Sequence, residues 1–414
     1  MRLKVILNQI EKQPGFVYER ASFVGSAIEV QIRARENRRG ICAQCRQPAP
    51  GYDRLSPRRY EFVPLWGIRV FFVYALRRVQ CRRCATITTE QVPWATGKQR
   101  LTTSYVWFLA RWARRLSWVE VGRIFQSNWS TVCRAVEVAV RWGREHMEMG
   151  GIGAIGVDEV HWRRGAQGYL SVIYEIGARR RLLWVGRGRE GASITPFFEW
   201  LGPQRTHSIH FVCSDMWRPY LKVIRKHLSH SVHVLDRFHI AQKLNIAMDV
   251  VRAKEARRLK QQGLEPVLTH TRWCLLKRPE NLSGKQRKRL RELLQYNVRT
   301  VRAYLLKEDL QWLWHYKSPI WAGKYLDRWC TQVMRSRIEP MKQIAVSLRR
   351  HRQQILNWFE ARGQIALGAT EGFNTKVKLT TRRSYGFRSA RVIEIALYHA
   401  LGALPEPEGT HKFC

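Results

Sequence analysis

Acidic residues are scarce in this chain. Asp and Glu number 32 against 73 Lys and Arg, which leaves a formal charge of +41. A compact protein carrying that much charge of one sign repels itself. The balance therefore calls for a polyanionic partner, and nucleic acid is the usual one. An anionic membrane is the second partner class, but long hydrophobic runs are missing as well. No stretch approaches the roughly 18 consecutive apolar residues of a spanning helix, and the opening MRLKVILNQIEKQPG has too short an apolar core for a secretory signal. Cysteine is sparse: there are nine, and Cys133, Cys213, Cys274, Cys330 and Cys414 stand alone. An odd, scattered set excludes a secreted disulfide framework and points to a reducing compartment. With 414 residues, 45% of them hydrophobic, the chain has material for two to four packed units.

The other four cysteines form two tight pairs, Cys42-Ala-Gln-Cys45 and Cys81-Arg-Arg-Cys84. Each spacing lets a turn aim two sulfurs at one cation, and two such turns complete a four-thiolate shell suited to structural zinc. The 35 residues between the pairs exceed the more common gap of about 15–20. Between them Phe62–Val79 is rich in aromatic and β-branched residues and reads as a hairpin whose returning strand carries the second knuckle. Arg46, Arg77, Arg78, Arg82 and Arg83 crowd the site, which suits a phosphate-facing surface. We assign residues 1–98 to this zinc ribbon.

Thr103–His146 reads as helical, within a DNA-binding segment assigned to residues 99–150. Trp118, Val121, Ile124 and Phe125 recur at helical spacing, Gln126-Ser127-Asn128 supplies a turn and a cap, and Val132, Ala135, Val136 and Ala139 line a second helix. Two short helices around a tight turn make a helix-turn-helix. Its second helix would present Trp129, Ser130, Thr131 and Arg134 to DNA.

The pattern richest in chemistry begins at Ala154. Ala154–Val160 is an apolar strand with Asp158 inside it, and Tyr169–Ile176 and Leu182–Gly186 complete an antiparallel meander. A helix over Ile194–Leu201, a strand over Ile209–Cys213 running into Asp215, a helix over Pro219–Leu228 and a strand over Val232–Leu235 ending at Asp236 follow. Strand-strand-strand-helix-strand-helix-strand is the order of a ribonuclease H-like α/β core. There the first and fourth strands are neighbours, so Asp158 and Asp215 would meet. Clustered carboxylates are the hard oxygen ligands that divalent cations require. Glu159, next to Asp158, alternates to the opposite face and is set aside. Asp236 and His239 sit near the sheet edge, and a structural capping role is the reading preferred over an auxiliary ligand.

Far downstream, Ala369–Lys378 begins a helix with Glu371, Asn374 and Lys378 on one face, followed by a basic run including Arg382, Arg388 and Arg391. A carboxylate, an amide and an ammonium so placed suit metal binding with phosphate contact. Glu371 lies 156 positions beyond Asp215, so residues 241–367 must hold an insertion. It reads as helical at Arg252–Lys260, Lys285–Tyr296 and Gln343–Arg362, with a loop over Gly263–Gly284. Its tryptophans, Trp273, Trp312, Trp314, Trp321 and Trp329, are expected mostly in the core, with one or two free to stack on a base.

Four stretches together resemble the insertion-sequence transposases of the ISL-three type. They are the paired knuckles, Gly156-Val157-Asp158-Glu159, Leu235-Asp236-Arg237-Phe238-His239, and Thr370-Glu371-Gly372-Phe373-Asn374 running on to Arg383-Ser384-Tyr385-Gly386-Phe387-Arg388. They span nearly the whole chain. The resemblance implies an Asp-Asp-Glu triad, falling by position on Asp158, Asp215 and Glu371. It implies divalent metal, two Mg2+ or Mn2+ ions, and terminal inverted repeats as substrate. One ion would activate water or a DNA 3′-hydroxyl and the other would stabilise the leaving oxygen, with no covalent protein–DNA intermediate. Residues 151–240 would then be the first part of the core and 368–414 its last helix with a basic tail. A bacterial cytoplasmic protein, associated with the nucleoid and working on DNA as a dimer or larger assembly, is the expectation. The rival readings are a non-catalytic, domesticated zinc-ribbon DNA-binding protein and a junction resolvase.

Overall fold

The computed structural model describes residues 3–163, 165, 168–177, 179–264, 267–296, 298–362, 364, 369–383, 387 and 389–408; the side chains of residues 369–371, 374 and 383 lie outside that description. It divides into two units, Met1–Glu148 with Thr380–Cys414, and Met149–Leu379.

In the first unit α1 (Leu3–Ile10) leads into two hairpins, β1 (Phe16–Val24) with β2 (Ala27–Ala34) and, further on, β6 (Arg58–Leu65) with β7 (Ile68–Tyr74). Trp66 and Gly67 both have positive φ at the tip of the second, the backbone of a tight primed turn. β2 and β7 pair in parallel, joining the hairpins into one sheet of order β1-β2-β7-β6. Trp94 is buried edge-on against Phe16, Tyr60 and Tyr74, with centroids 4.7, 6.1 and 5.3 Å away. Smaller strands surround the cysteines: β3 (Gly40–Ile41) pairs with β4 (Pro48–Ala49), and β5 (Gly51–Arg54), β8 (Arg77–Cys81) and β9 (Thr86–Thr89) form a three-stranded sheet.

The expected hairpin between the knuckles is therefore corrected. The strand returning from Trp66-Gly67 ends at Tyr74, and Cys81 rides on β8 in a different sheet. Glu90 lies at the break. Its buried carboxylate accepts hydrogen bonds from the Arg77 backbone N–H (2.9 Å), the Arg77 guanidinium (2.7 Å) and the Tyr74 hydroxyl (2.7 Å). Arg77 is pinned in this way where the chain leaves the first sheet. Removing one partner of such a buried pair costs about 3–5 kcal/mol.

Three helices follow: α2 (Thr103–Arg115), α3 (Trp118–Ile124) and α4 (Trp129–Glu145). Ser117 and Glu120 form a capping box on α3, and Asn128 caps α4 by accepting the Thr131 N–H at 2.8 Å. Gly122 permits the close turn, since a Cβ there would stand 2.8 Å from the Ser127 carbonyl oxygen. Val132, Ala135, Val136 and Ala139 are buried as their spacing requires, but Ile124 is 56% exposed. The last turn of the short α3 ends before it can fold Ile124 back onto a neighbour.

In the second unit β10 (Ala154–His161), β11 (Tyr169–Glu175) and β12 (Leu182–Arg187) form the meander. Then come α5 (Gly191–Leu201), α6 (Pro203–His207), β13 (Phe211–Ser214), α7 (Arg218–His227) and β14 (Val232–Leu235). The sheet order is β12-β11-β10-β13-β14, with β13 and β14 parallel to β10. The first and fourth strands are thus neighbours, as their order in sequence leads one to expect. On one face α5 packs so closely on β12 that a Cβ on Gly186 would stand 1.9 Å from the Ser193 carbonyl oxygen, and Ser171 of β11 bonds to the Tyr220 hydroxyl of α7 at 2.7 Å.

The insertion is all helix among its described residues, and more of it is helical than its sequence suggests. It contains α8 (Arg237–Gln261), α9 (Arg272–Leu276), α10 (Gly284–Leu293), α11 (Arg299–Gln311), α12 (Pro319–Arg335), α13 (Glu339–Arg350) and α14 (Arg352–Ala361). Its core, including Leu244, Met248, Leu310, Trp329 and Ile355, is continuous with Val234 and Leu235 of β14. Asn357 on α14 donates to the His233 carbonyl on β14 at 2.8 Å, which fixes helix to strand. The tryptophans divide differently from the expectation: Trp329 is buried and Trp314 packs against the core, but Trp273, Trp312 and Trp321 are 56%, 61% and 60% exposed. Each of those three lies on the outward side of a short helix or near a helix start, where no second layer covers it.

The last elements are α15 (Ala369–Arg383), which carries Glu371, and α16 (Ala390–Leu401). α16 packs on α4, and Arg144 pairs with Glu394 at 3.7 Å, while Arg111 and Arg114 of α2 hold Glu406 at 2.6 and 2.9 Å. Among the described residues no helix is long and apolar enough to cross a membrane.

Candidate active site and metal centre

Three parallel strands present aspartates at the same level. Val157, Ser214 and Leu235 are aligned across β10, β13 and β14. The next residue on each strand is Asp158, Asp215 and Asp236. Side chains at one register level of a parallel sheet share a face, so Asp158 within β10 and Asp215 and Asp236 just past β13 and β14 form a row at one level. Asp236 was legible as a strand end, but its place in the row shows only once the register is known.

Each member of the row is held differently. Asp158 is 4% exposed and accepts the Glu159 N–H at 2.7 Å. Asp215 is half-buried and accepts the Trp217 N–H at 2.9 Å in a local turn. Asp236 caps α8 by accepting the Phe238 N–H at 2.8 Å, consistent with its preferred capping role. His239, one turn into α8, stands between carboxylates: Nδ1 is 3.5 Å from Asp236 and Nε2 is 3.9 Å from Asp158. Burial works against its imidazolium, but Asp236, Asp158 and Asp215 outweigh burial and raise its pKa above the ordinary value.

The floor of the row is apolar and tight. Gly156, two residues before Asp158, pairs with Tyr174 on one side and Cys213 on the other. A Cβ at Gly156 would stand 2.4 Å from the Tyr174 ring. Burial, then the charge of Asp158, lifts the Tyr174 pKa, and burial followed by Asp236 and Asp158 lifts that of Cys213. Phe373 of α15 stacks on Tyr174 with centroids 4.7 Å apart, which brings the helix bearing Glu371 onto this face of the sheet. The Glu371 and Asn374 side chains lie outside the described residues, as does Arg388 and most of the Arg383–Arg388 motif; Lys378 and Arg382 are exposed on α15.

Glu159 lies in the next register pair, with Ser171, toward α7. Its carboxyl is nevertheless raised, by burial first and then by Asp215, so it feels the row's charge from the other face. Arg189, which sequence reasoning did not single out, opposes that rise. Its guanidinium lies 4.5 Å from the Tyr169 ring centroid and 4.7 Å from that of Trp217.

The thiol cluster is more compact than the row. Among the described residues Cys42, Cys45, Cys81 and Cys84 are the one such group whose ligand atoms all lie within 4.8 Å of one another. Cys45 and Cys81 sulfurs are 3.4 Å apart, and Cys42 and Cys81 are buried. Both knuckles fold alike: the residue after each second cysteine, Arg46 and Ala85, is left-handed, at φ 59° and 52°. The Cys84 backbone N–H draws Cys81 down, while the Cys45 thiol and burial push Cys84 up, as thiols sharing protons at close range do until a cation replaces them. The donor set fits one tetrahedral zinc.

The proposed DNA-reading residues sit at the start of α4. Trp129, Ser130 and Arg134 are exposed and Thr131 is half-buried. Ser130 donates to the Asn128 cap at 2.7 Å.

A family model described as "Transposase", for the ISL3 group of Asp-Asp-Glu enzymes, matches residues 155–397, more than half of the chain. The chain belongs to the ISL3 transposase family. The matched region starts in β10 and runs into α16, so this transposase's aspartate row and α15 lie inside it while the thiol cluster lies outside. The chain is 29% identical over 350 residues to the transposase for insertion sequence element IS1001 of Bordetella parapertussis, covering 84% of this chain and 85% of the relative. It is 27% identical over 424 residues to the transposase for insertion sequence element IS1557 of Mycobacterium tuberculosis, covering 94% and 92%.

Proposed function

We propose that this transposase binds the terminal inverted repeats of its own insertion sequence and carries out metal-dependent strand cleavage and strand transfer. The carrying observation is the parallel pairing of Val157 with Ser214, which puts Asp158 and Asp215 one residue further along neighbouring chain segments. The sheet is read as a ribonuclease H-like core in which Asp158, Asp215 and Glu371 hold divalent metal, Mg2+ or Mn2+. Bound there, the metal supplies a Lewis acid for the attacking water or 3′-hydroxyl and for the leaving oxygen. Asp158 and Asp215 are suited to this because a rigid sheet orients them. His239 stands within 3.5 Å of Asp236 and 3.9 Å of Asp158, and those carboxylates raise its pKa.

The zinc ribbon and the α3–α4 helix-turn-helix are assigned to end recognition, with Trp129, Ser130, Thr131 and Arg134 on the reading helix. Asn374, Lys378, Arg382 and Arg388 are assigned to phosphates near the core. Two ends must be handled together, so a homodimer or larger assembly on DNA is the working form.

The test is cleavage of a duplex carrying the element's own ends, with wild type compared to Asp158→Asn, Asp215→Asn and Glu371→Gln. Wild type is expected to cut with magnesium, and each variant to bind the ends while cutting more than about a thousand-fold more slowly. Binding without cutting under any divalent metal would transfer support to the regulatory DNA-binding reading. Cutting of branched DNA regardless of end sequence would favour a resolvase.

A further inference from the structure

We propose that Arg189 is a preformed binding site for a DNA backbone phosphate at the α5–α7 side of the aspartate-bearing sheet, held by the rings of Tyr169 and Trp217. The inference rests on the transposase reading above and adds a residue to it.

The clamp is built from three elements. Tyr169 begins β11, Arg189 lies in the short link between β12 and α5, and Trp217 immediately precedes α7. Rings flank the guanidinium at 4.5 and 4.7 Å. An arginine stacks on aromatic faces through its planar, delocalised group, leaving its edge N–H donors free. Among the described residues that guanidinium has no hydrogen-bond or ion-pair partner.

The backbone around it is fixed from both sides. Gly188, at φ 86°, donates to the Tyr169 carbonyl at 2.9 Å, and its own carbonyl accepts the Ser171 hydroxyl at 2.9 Å. The Arg189 carbonyl accepts the Trp217 indole N–H at 2.7 Å. The same Trp217 donates its backbone N–H to the Asp215 carboxylate at 2.9 Å. One tryptophan thus ties the cation to a member of the row. The net result is a fork of donors with no hydrogen-bond partner, whose charge is felt by Glu159 and which Trp217 links to the Asp215 end of the sheet. Fork geometry matches two phosphate oxygens, and immobilisation before binding lowers the cost of ordering it. Most of the chain's basic residues lack such a clamp, which sets Arg189 apart from a general electrostatic surface.

The experiment is single-turnover cleavage of the end duplex by the full chain, with one phosphate at a time replaced by a neutral methylphosphonate across the positions flanking the cut. Wild type, Arg189→Ala, Arg189→Lys and Trp217→Phe are compared, with thermal melting to confirm that each is folded. Arg189→Ala is expected to cut about ten- to hundred-fold more slowly, the range for a charge-assisted contact. At one position the neutral linkage should slow wild type by a similar factor and slow Arg189→Ala no further. Arg189→Lys should recover little, because an ammonium lacks the planar fork that meets two phosphate oxygens, and Trp217→Phe should fall between. A merely structural role would instead slow every substrate alike, with losses multiplying at all positions; that outcome, or wild-type rates in Arg189→Ala, overturns the proposal while leaving the transposase reading intact. If wild type itself cuts no DNA, both fall.

Discussion

Phe373 lies almost flat on Tyr174, with ring planes 19° apart. Tyr174 in turn occupies the space that any side chain on Gly156 would need. A strand, its neighbour and the distant helix of Glu371 are therefore stacked in one column two residues from Asp158.

Removing the top of that column should loosen the helix without touching its carboxylate. Phe373 is 5% exposed, so Phe373→Ala should cost about 3–5 kcal/mol, and Phe373→Leu clearly less. Chemical denaturation measures the loss. Magnesium-dependent end cleavage should fall in Phe373→Ala even under conditions where the protein remains folded, and an unchanged rate would separate the stack from the site.

Gly156→Ala should act at the base of the column. Its Cβ would stand 2.4 Å from a buried ring that has no room to retreat, and overpacking of this kind costs about 1–3 kcal/mol. Gly156→Ala combined with Tyr174→Leu should recover part of the loss. Melting of the single and double variants decides it: additive losses would mean that the clash is relieved elsewhere.

Acid should destabilise the second unit in a defined window. Burial, reinforced by His351 and Arg225, pushes the His233 pKa down to about 4 from its ordinary 6.5. An unfolded chain then binds the proton more readily than the folded one between those values. Stability is fully present above pH 6.5 and is lost as pH falls toward 4, by up to about 3 kcal/mol. His233→Gln, whose amide can still meet the Ser214 hydroxyl that His233 contacts at 2.8 Å, should flatten urea midpoints across that window. His399, pushed down to about 3 mainly by burial, should give the first unit a slope of the same sign.

One zinc per chain should be found by elemental analysis, and Cys42→Ser or Cys81→Ser should abolish it. Because binding energy at such a site is also folding energy, a strong chelator should melt the small sheets around the cysteines. The aspartate row lies in the other unit, so the far-ultraviolet signature of that unit should persist.

The meander and the strand–aspartate junctions were legible because short apolar runs bounded by polar turns carry their own signal. The knuckles were legible because the two-residue spacing is itself the chemistry. Non-local causes were not. The chain leaves its first sheet near Ala75, at the contact with Glu90, a residue with no local mark. α11 is buried on several sides, as Thr300, Ala303, Leu306, Lys307 and Leu310 attest, so it lacks the single apolar stripe by which surface helices are recognised. Arg189 is one basic residue among many until folding brings Tyr169 and Trp217 around it.

The packing of α16 on α4 has a consequence for synthesis. α4 ends at Glu145 and its partner begins at Ala390. At about 5–20 residues per second, a ribosome needs on the order of ten to fifty seconds to reach the second helix after finishing the first. Throughout that interval α4 lacks its partner, including the salt bridge from Arg144 to Glu394. A nascent chain can complete its aspartate-bearing sheet, which ends at Leu235, well before the helix that packs on α4 is made.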